Sequence, residues 1–208
     1  VVPKREIHIT KPWLVSERAA IKFLVSKQSW LECVFQKCVG KIALKPGDEI
    51  EFLASEYYRQ WNQLLIDQRL AEYLGKHELT AVFYPHYEVQ KYLQHFQPKS
   101  NRIILADFAN YDVQTLLKES KLLVTDYSSV FFDFAYMRKP LVYYQFDPEE
   151  FFSKHYSRGY FSYSEMGFGP VVDNAKAVIG AMEQSADNEF VPTDVYANRM
   201  ETFFPLYD

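Results

Sequence analysis

The sequence is poor in the residues that build the common phosphate loops and metal sites. It contains only 7 glycines and 2 cysteines in 208 residues. Neither G-x-G-x-x-G nor G-x-x-x-x-G-K-S/T occurs, which argues against dinucleotide dehydrogenases and P-loop NTPases. The absence of G-x-S-x-G leaves a hydrolase nucleophile elbow without support. Cys33 and Cys38 do not match a zinc-ligand spacing, so we interpret them as free or buried thiols and predict no metal site.

A basic excess and a long apolar run are also missing. The formal net charge is −4 and the 23 lysines and arginines are scattered, so no basic stripe of the kind that binds nucleic acid is present. No stretch reaches the roughly 18 consecutive apolar residues that a membrane-spanning helix needs, and residues 1–6 do not form a signal peptide. Because the chain begins at Val1 without a Met, we expect it to be part of a longer protein.

What the sequence does contain is a regular alternation of short apolar stretches and amphipathic segments. Strands that alternate with helices of roughly ten residues indicate βαβ units and a parallel sheet. The stretches Leu122–Thr125 and Leu141–Tyr144 are short and continuously apolar, as in strands that are covered on both faces. We therefore predict an α/β fold, with a Rossmann-like parallel sheet and helices on both faces.

The pattern gives approximate bounds for each element. The predicted strands are 5–10, Glu49–Ala54, Leu79–Tyr84, Arg102–Ala106, Leu122–Thr125 and Leu141–Tyr144. The predicted helices are 13–39, one from its cap Ser55 to a C-terminal Gly75, Tyr87–Phe96, Val113–Ser120 capped by Asp112, Ser128–Met137, one opened by Pro148, Ala175–Gln184 and Thr193–Phe204. Residues 154–170 are predicted to be a loop.

Ligands of open parallel sheets bind at the carboxyl ends of the strands. The residues that follow the predicted strands are Ser55, Pro85-His86, Asp107, Thr125 to Ser129 and Gln145 to Asp147. In the most informative of these runs, two serines are predicted in the first turn of a helix, where unpaired N–H groups attract anions. Thr125, Ser128 and Ser129 are therefore candidate phosphate ligands. The alternative is that Asp126 or Ser128 only caps the helix.

Three further side chains are candidates, each with an ordinary alternative. Asp133, among phenylalanines, either binds ribose hydroxyls or bonds to a neighbouring backbone group or arginine. His86, at the end of a strand, either donates to a phosphate and acts as an acid or base, or is an ordinary surface or core histidine. Arg158, beside Gly159, either clamps a phosphate or lies on the surface.

One block resembles a known family. The run Leu122–Phe134, with its D-Y-S-S-x-x-x-D pattern, followed by Lys139-Pro140, resembles the CDP-glycerol glycerophosphotransferases of teichoic-acid synthesis. Tyr84-Pro85-His86 resembles the family's K-x-H-P segment. The later segments Tyr156–Phe161 and Gly169–Val172 resemble its R-G-F/Y and P-G-P motifs. The resemblance covers roughly residues 80–185. His86 is followed by Tyr87 where the family has Pro, and the W-H-G segment of the family's acceptor domain does not occur.

The resemblance implies the C-terminal, donor-binding half of a GT-B fold. It assigns residues 46–208 to a Rossmann-like donor-binding domain and leaves 1–45 as a poorly matched, partly helical leading segment. By resemblance, Thr125, Ser128, Ser129 and Arg158 would bind the donor phosphates, and His86 would be catalytic. Asp126 and Asp133 would hold ribose or order the helix.

The implied reaction moves glycerol phosphate, or a related polyol or sugar phosphate, from a CDP-linked donor to an acceptor hydroxyl, with release of CMP. No cofactor or metal is implied, and the acceptor would be lipid-linked or polymeric. The N-terminal acceptor domain would lie outside this chain, and the full protein would be a cytoplasmic enzyme peripheral to the inner membrane face. A GT-B glycosyltransferase with another nucleotide-sugar donor and a non-catalytic nucleotide-binding module stay open as alternatives.

Overall fold

The computed structural model describes residues 55–154 and 160–205. The strands and helix predicted before Ser55, both cysteines, and Arg158 lie outside the described residues. The candidate residues from His86 to Asp133 all lie within them.

The described part alternates strands and helices in the predicted manner. The strands are β1 Ala81–Phe83, β2 Ile103–Leu105, β3 Leu123–Thr125, β4 Leu141–Tyr144 and β5 Val171–Val172. The helices are α1 Glu56–Ile66, α2 Gln68–Lys76, α3 Tyr87–Gln90, α4 Val113–Glu119, α5 Val130–Tyr136, α6 Pro148–Lys154, α7 Tyr163–Met166, α8 Ala175–Asp187 and α9 Asp194–Phe203, with a 3₁₀ turn at Leu93–His95. All strand pairs are parallel, and they form one sheet with the order β1-β2 and another with the order β3-β4-β5. The predicted parallel α/β fold is confirmed.

The helix predicted to start at Ser55 is two helices. Ser55 caps α1 as expected, since its hydroxyl accepts the Tyr58 N–H. Asp67 then adopts an extended conformation and caps α2 through the Arg69 N–H, which breaks the segment. Gly75 is not the C-terminal residue that was predicted, because it lies inside α2. The left-handed position belongs instead to Glu78, with φ of 54°.

The predicted loop 154–170 is wrong over part of its length. It contains the short helix α7, which Ser162 caps through the Glu165 N–H. After it the chain passes close to β4, because a Cβ on Gly169 would lie 1.8 Å from the Leu141 carbonyl oxygen. That close approach places β5 beside β4, a third strand that its two-residue length concealed in the sequence.

Two hydrophobic cores lie on opposite faces of β4. Core A consists of Trp61, Leu64, Leu65, Leu70, Tyr73, Leu74, Phe83, Phe96, Ile103, Tyr144, Ala175, Val178, Ile179 and Met182. Core B consists of Leu117, Phe131, Phe134, Ala135, Tyr136, Leu141, Tyr143, Phe168, Met200 and Phe204. Side chains alternate between the faces of a strand, so Leu141 and Tyr143 enter core B while Tyr144 enters core A. The prediction of helices on both faces is thereby confirmed.

Core A also contains residues of both sheets, namely Phe83 and Ile103 from β1 and β2 and Tyr144 from β4. Helix α8 contacts α1, α2 and β4, and so closes this core. Within residues 55–154 and 160–205, no helix has the length and apolar character needed to cross a bilayer.

Candidate functional site

The turn Thr125–Ser129 follows β3 at its carboxyl end. Thr125 is buried, with 6% of its surface exposed. The Asp126 Oδ1 accepts the Ser128 N–H at 3.0 Å, a side-chain-to-backbone bond that shapes the chain into a turn. Ser128 and Ser129 are both exposed on the outer side of that turn.

The helix after this turn begins two residues later than predicted. Helix α5 starts at Val130, with Ser129 as its N-cap, so neither serine lies in its first turn. The reason is local: the bond from Ser128 to Asp126 competes with helical geometry. Ser129 makes no capping bond through its side chain. Among the described residues, neither serine hydroxyl makes a hydrogen bond to the protein, so Ser128 does not cap the helix through its side chain. Asp126 does bond to a backbone N–H of the turn, that of Ser128, so the capping alternative stays open for Asp126.

The carboxylate of Asp126 lies in a setting that opposes its ionisation. Burial raises its pKa, the N–H groups of Ser128 and Tyr127 partly offset this, and the like charge of Asp147 raises it further. Carboxyl groups with perturbed pKa values cluster at functional sites, so this setting makes Asp126 a candidate site residue.

Tyr127 joins this turn to the loop after β4. Its hydroxyl donates to the Asp147 Oδ1 at 3.1 Å, and its ring stacks on Phe151, with centroids 3.7 Å apart. The ring of Tyr163 from α7 meets it edge-on at 6.2 Å. The position of the serine turn is therefore fixed by contacts from α6 and α7, which the sequence pattern did not reveal.

His86 follows β1 and is exposed at the start of α3. Its Nδ1 accepts the Glu88 N–H at 3.4 Å, and its ring lies 4.3 Å from that of Tyr87. Because Nδ1 is the acceptor, a neutral imidazole carries its proton on Nε2. This arrangement leaves Nε2–H as a donor that points away from the helix start.

Two open clefts lie among the residues that follow the strands. One, of about 550 Å³, is lined by Ser55, Glu56, Arg59, Phe146, Asp147, Pro148 and Glu149. The other, of about 400 Å³, is lined by Tyr84 and Phe108 to Val113. The first cleft includes Ser55 and Asp147, which follow predicted strands. Thr125, Ser128, Ser129 and His86 are not among the residues that line these two clefts. In the described part of the chain, no group of three or more metal-ligating side chains occurs.

The comparisons with known proteins agree with this geometry. A family model described as CDP-Glycerol:Poly(glycerophosphate) glycerophosphotransferase matches residues 50–208. The chain belongs to this family. The glycerophosphotransferase match includes β1 to β5, both clefts and the serine turn.

Individual relatives of this chain are teichoic-acid proteins. It is 35% identical over 158 residues to the minor teichoic acid biosynthesis protein GgaB of Bacillus subtilis (strain 168), covering 76% of this chain and 17% of that protein. It is 27% identical over 143 residues to the teichoic acid ribitol-phosphate polymerase TarK of Staphylococcus aureus (strain NCTC 8325 / PS 47), covering 68% and 26%. The chain thus spans about a quarter or less of the length of these relatives.

A solved structure supports the fold assignment. The wall teichoic acid polymerase TagF superposes with a TM-score of 0.52 at 19% identity, covering 90% of this chain and 45% of that one. At this identity the likeness concerns the fold alone. The likeness agrees with the α/β architecture that the chain's own strand order and two cores display.

Gln90 is a site residue that sequence reasoning missed. It is buried at the end of α3, where its Nε2 donates to the Pro85 carbonyl oxygen at 3.0 Å and its Oε1 accepts the Phe108 N–H at 2.8 Å. The amide ties the His86 segment to the loop after β2. The position in a short helix gave no signal of this bridge.

The remaining candidates are less informative. Asp133 lies half-buried in α5, one turn after the serines, and its assignment to ribose stays a prediction. Arg158 lies outside the described residues, so its assignment to phosphate also stays a prediction.

Proposed function

We propose that this chain is the donor-binding part of a transferase that moves glycerol phosphate, or a related polyol or sugar phosphate, from a CDP-linked donor to an acceptor hydroxyl. CMP leaves, and the product is a teichoic acid or capsule polymer. The observation that carries the proposal is the pair of exposed serine hydroxyls, unbonded among the described residues, at the carboxyl end of β3 in a glycerophosphotransferase-family chain.

Each candidate residue receives a role in this proposal. Ser128 and Ser129 donate hydroxyl hydrogens to the donor pyrophosphate, next to the buried Thr125. Hydrogen bonds to a charged acceptor are shorter and stronger than neutral ones, so two hydroxyls suffice to orient a phosphate. Arg158 adds positive charge, and Asp126 and Asp133 hold ribose or order the turn.

His86 is the proposed catalytic residue. The bond that its Nδ1 accepts from Glu88 leaves Nε2–H free to donate to oxygen. A donor already in place stabilises negative charge as it develops on the leaving CMP phosphate, without reorganising during the reaction.

The acceptor and the setting belong to the proposal as well. A lipid-linked or polymeric acceptor is proposed to bind a separate N-terminal domain, and the full protein to act in the cytoplasm at the inner membrane face. One of the relatives named above is a teichoic acid ribitol-phosphate polymerase, which supports a polyol phosphate as the transferred group.

Calorimetry with CMP, CDP-glycerol, CDP-ribitol and UDP tests the proposal. We expect the chain to bind CMP and at least one CDP-polyol, and not UDP. Binding of UDP in preference to CMP would favour a glycosyltransferase with another nucleotide-sugar. The absence of binding to any nucleotide would leave a non-catalytic module that kept the fold.

The double substitution Ser128→Ala with Ser129→Ala tests the phosphate assignment. Each lost bond to a charged oxygen is worth about 1.5–3 kcal/mol, so the loss of two such bonds should lower CMP affinity by about 100-fold or more. Thr202→Ala is the control, because Thr202 is an exposed hydroxyl on α9 that bonds within its own helix. An unchanged CMP affinity in the double variant would remove the phosphate assignment.

A further inference from the structure

The described residues contain two buried glutamines with opposite hydrogen-bond status. Gln90 and Gln145 are 8% and 6% exposed. Both amide atoms of Gln90 are bonded to backbone groups. The Nε2 of Gln145, in contrast, has no hydrogen-bond partner among the described residues. Buried polar atoms in native proteins are nearly always paired, so an unpaired one calls for a specific explanation.

The position of Gln145 places it beside the serine turn. It follows β4 directly, and its N–H donates to the Val172 carbonyl oxygen at 2.8 Å, so the ladder with β5 continues through it. Strand β3 pairs with β4 so that Thr125 lies beside Tyr143. The paired register ends at Thr125 and Tyr143, so Gln145 and the turn that begins at Asp126 both lie just beyond the paired carboxyl ends of β4 and β3.

The pleat also indicates the face on which Gln145 lies. Tyr143 enters core B with α5, and Tyr144 enters core A. Alternation therefore directs Gln145 to the face that carries α5. Thr125 lies on this face too, since Leu123 packs against core B and Val124 against core A. A buried amide donor thus lies at the strand ends, on the side where Ser129 opens α5.

We propose that Gln145 is a ligand-contacting residue whose Nε2–H donates to an oxygen of the CDP-linked donor. This inference rests on the proposed function. A buried donor left without an acceptor lowers the stability of the free protein, and such a cost is retained where a ligand supplies the missing acceptor. Because the amide is neutral, it bonds to an oxygen without adding charge next to Asp126 and Asp147.

The substitution Gln145→Met keeps the length of the side chain and removes the donor. In the free protein we expect Tm to stay the same or rise, since an apolar group of similar shape replaces an unpaired polar one. We expect affinity for the donor to fall by about tenfold or more. Gln90→Met is the matched control, and there we expect Tm to fall, because two buried backbone groups lose their partners.

The experiment measures Tm without ligand, and the affinities for CMP and for CDP-glycerol by calorimetry, on the whole 208-residue chain. Weaker binding of both places the contacted oxygen in the nucleotide part of the donor. Weaker binding of CDP-glycerol alone places it in the glycerol phosphate part. Either result supports the inference.

Two outcomes overturn it. Unchanged affinities in Gln145→Met, with the unaltered chain binding CMP, would remove the contact and leave the proposed function intact. A fall in Tm as large as that of Gln90→Met would show that the Gln145 amide is already bonded within the protein. If the unaltered chain binds neither CMP nor CDP-glycerol, the proposed function fails first, and the inference fails with it.

Discussion

At the scale of the residue, Asp126 links the site to the stability of the fold. Burial raises the pKa of Asp126, and the negative charge of Asp147 raises it further. Hydrogen bonds from backbone N–H groups lower it and offset part of this rise. A carboxyl with a raised native pKa contributes stability at low pH, and this contribution is lost as the pH rises through the native pKa. At pH values above the ordinary pKa of aspartate, the burial of this carboxyl therefore lowers the stability of the free protein.

The substitution Asp126→Asn tests this consequence. The asparagine oxygen still accepts the Ser128 N–H, which Asp126 accepts at 3.0 Å, and no buried charge remains. We expect a higher Tm than in the unaltered chain at neutral pH and above, with a gain that shrinks as the pH falls toward the ordinary pKa of aspartate. Thermal melts over this pH range measure it. A gain that grows toward acid pH would contradict the assigned direction of the pKa shift.

Some residues of the site were predicted from the sequence and others were not. Ser128, Ser129 and His86 were identified because they follow strands, which a local pattern reveals. Gln90 and Tyr127 were not, because their roles come from bonds to Phe108 and Asp147. Contacts between segments that are distant along the chain leave no spacing in the sequence.

At the scale of the element, the glycine near the end of α2 does not occupy the position that adopts the left-handed conformation. The Leu79 N–H bonds to the Leu74 carbonyl and the Glu78 N–H to the Gly75 carbonyl, at 2.9 and 3.3 Å. These two bonds close a Schellman motif in which Glu78 takes the left-handed position that usually favours glycine. Gly75 lies inside the helix, and a Cβ there would contact nothing within 4 Å.

Two substitutions are therefore expected to stabilise the chain. Gly75→Ala should raise the free energy of unfolding by about 0.5–1 kcal/mol, because alanine restricts the unfolded chain and favours helix. Glu78→Gly should raise it by a similar amount, roughly 1 kcal/mol, because glycine removes the cost of the left-handed backbone. Urea unfolding of both variants measures these changes. Destabilisation by Gly75→Ala would instead place the left-handed residue at Gly75.

The sequence predicted whether each segment is a helix or a strand better than it predicted the first and last residues of these elements. Ser55 and Asp112 cap α1 and α4 as expected, through the N–H groups of Tyr58 and Thr115. A cap depends on residues close together in the sequence, so the sequence alone predicts it. Asp67 also caps a helix locally, through the Arg69 N–H, but it interrupts a continuous helical pattern and was not recognised as a break. The strand β5 depends on its pairing with β4, and the delayed start of α5 depends on the bond from Ser128 to Asp126.

At the scale of the whole molecule, the two sheets are held together by side chains. No backbone ladder joins β1-β2 to β3-β4-β5 among the described residues. Core A nevertheless takes Phe83 and Ile103 from the first sheet and Tyr144 from the second. The hydroxyl of Tyr144 also donates to the Gln60 Oε1 at 2.8 Å, which ties β4 to α1. The strand β4 thus contributes side chains to both cores.

This arrangement predicts one cooperative unfolding transition with independent contributions from the two cores. Ile179→Val in core A should cost about 0.5–1.5 kcal/mol, and Leu141→Val in core B should cost about 1 kcal/mol for one buried methylene and its cavity. The side chains lie on opposite faces of β4 and belong to different cores, so the double variant should show their sum within about 0.5 kcal/mol. Urea unfolding followed by fluorescence and by circular dichroism measures both. Two separate transitions, or a strong coupling between the substitutions, would mean that core A does not join the two sheets as its side chains indicate.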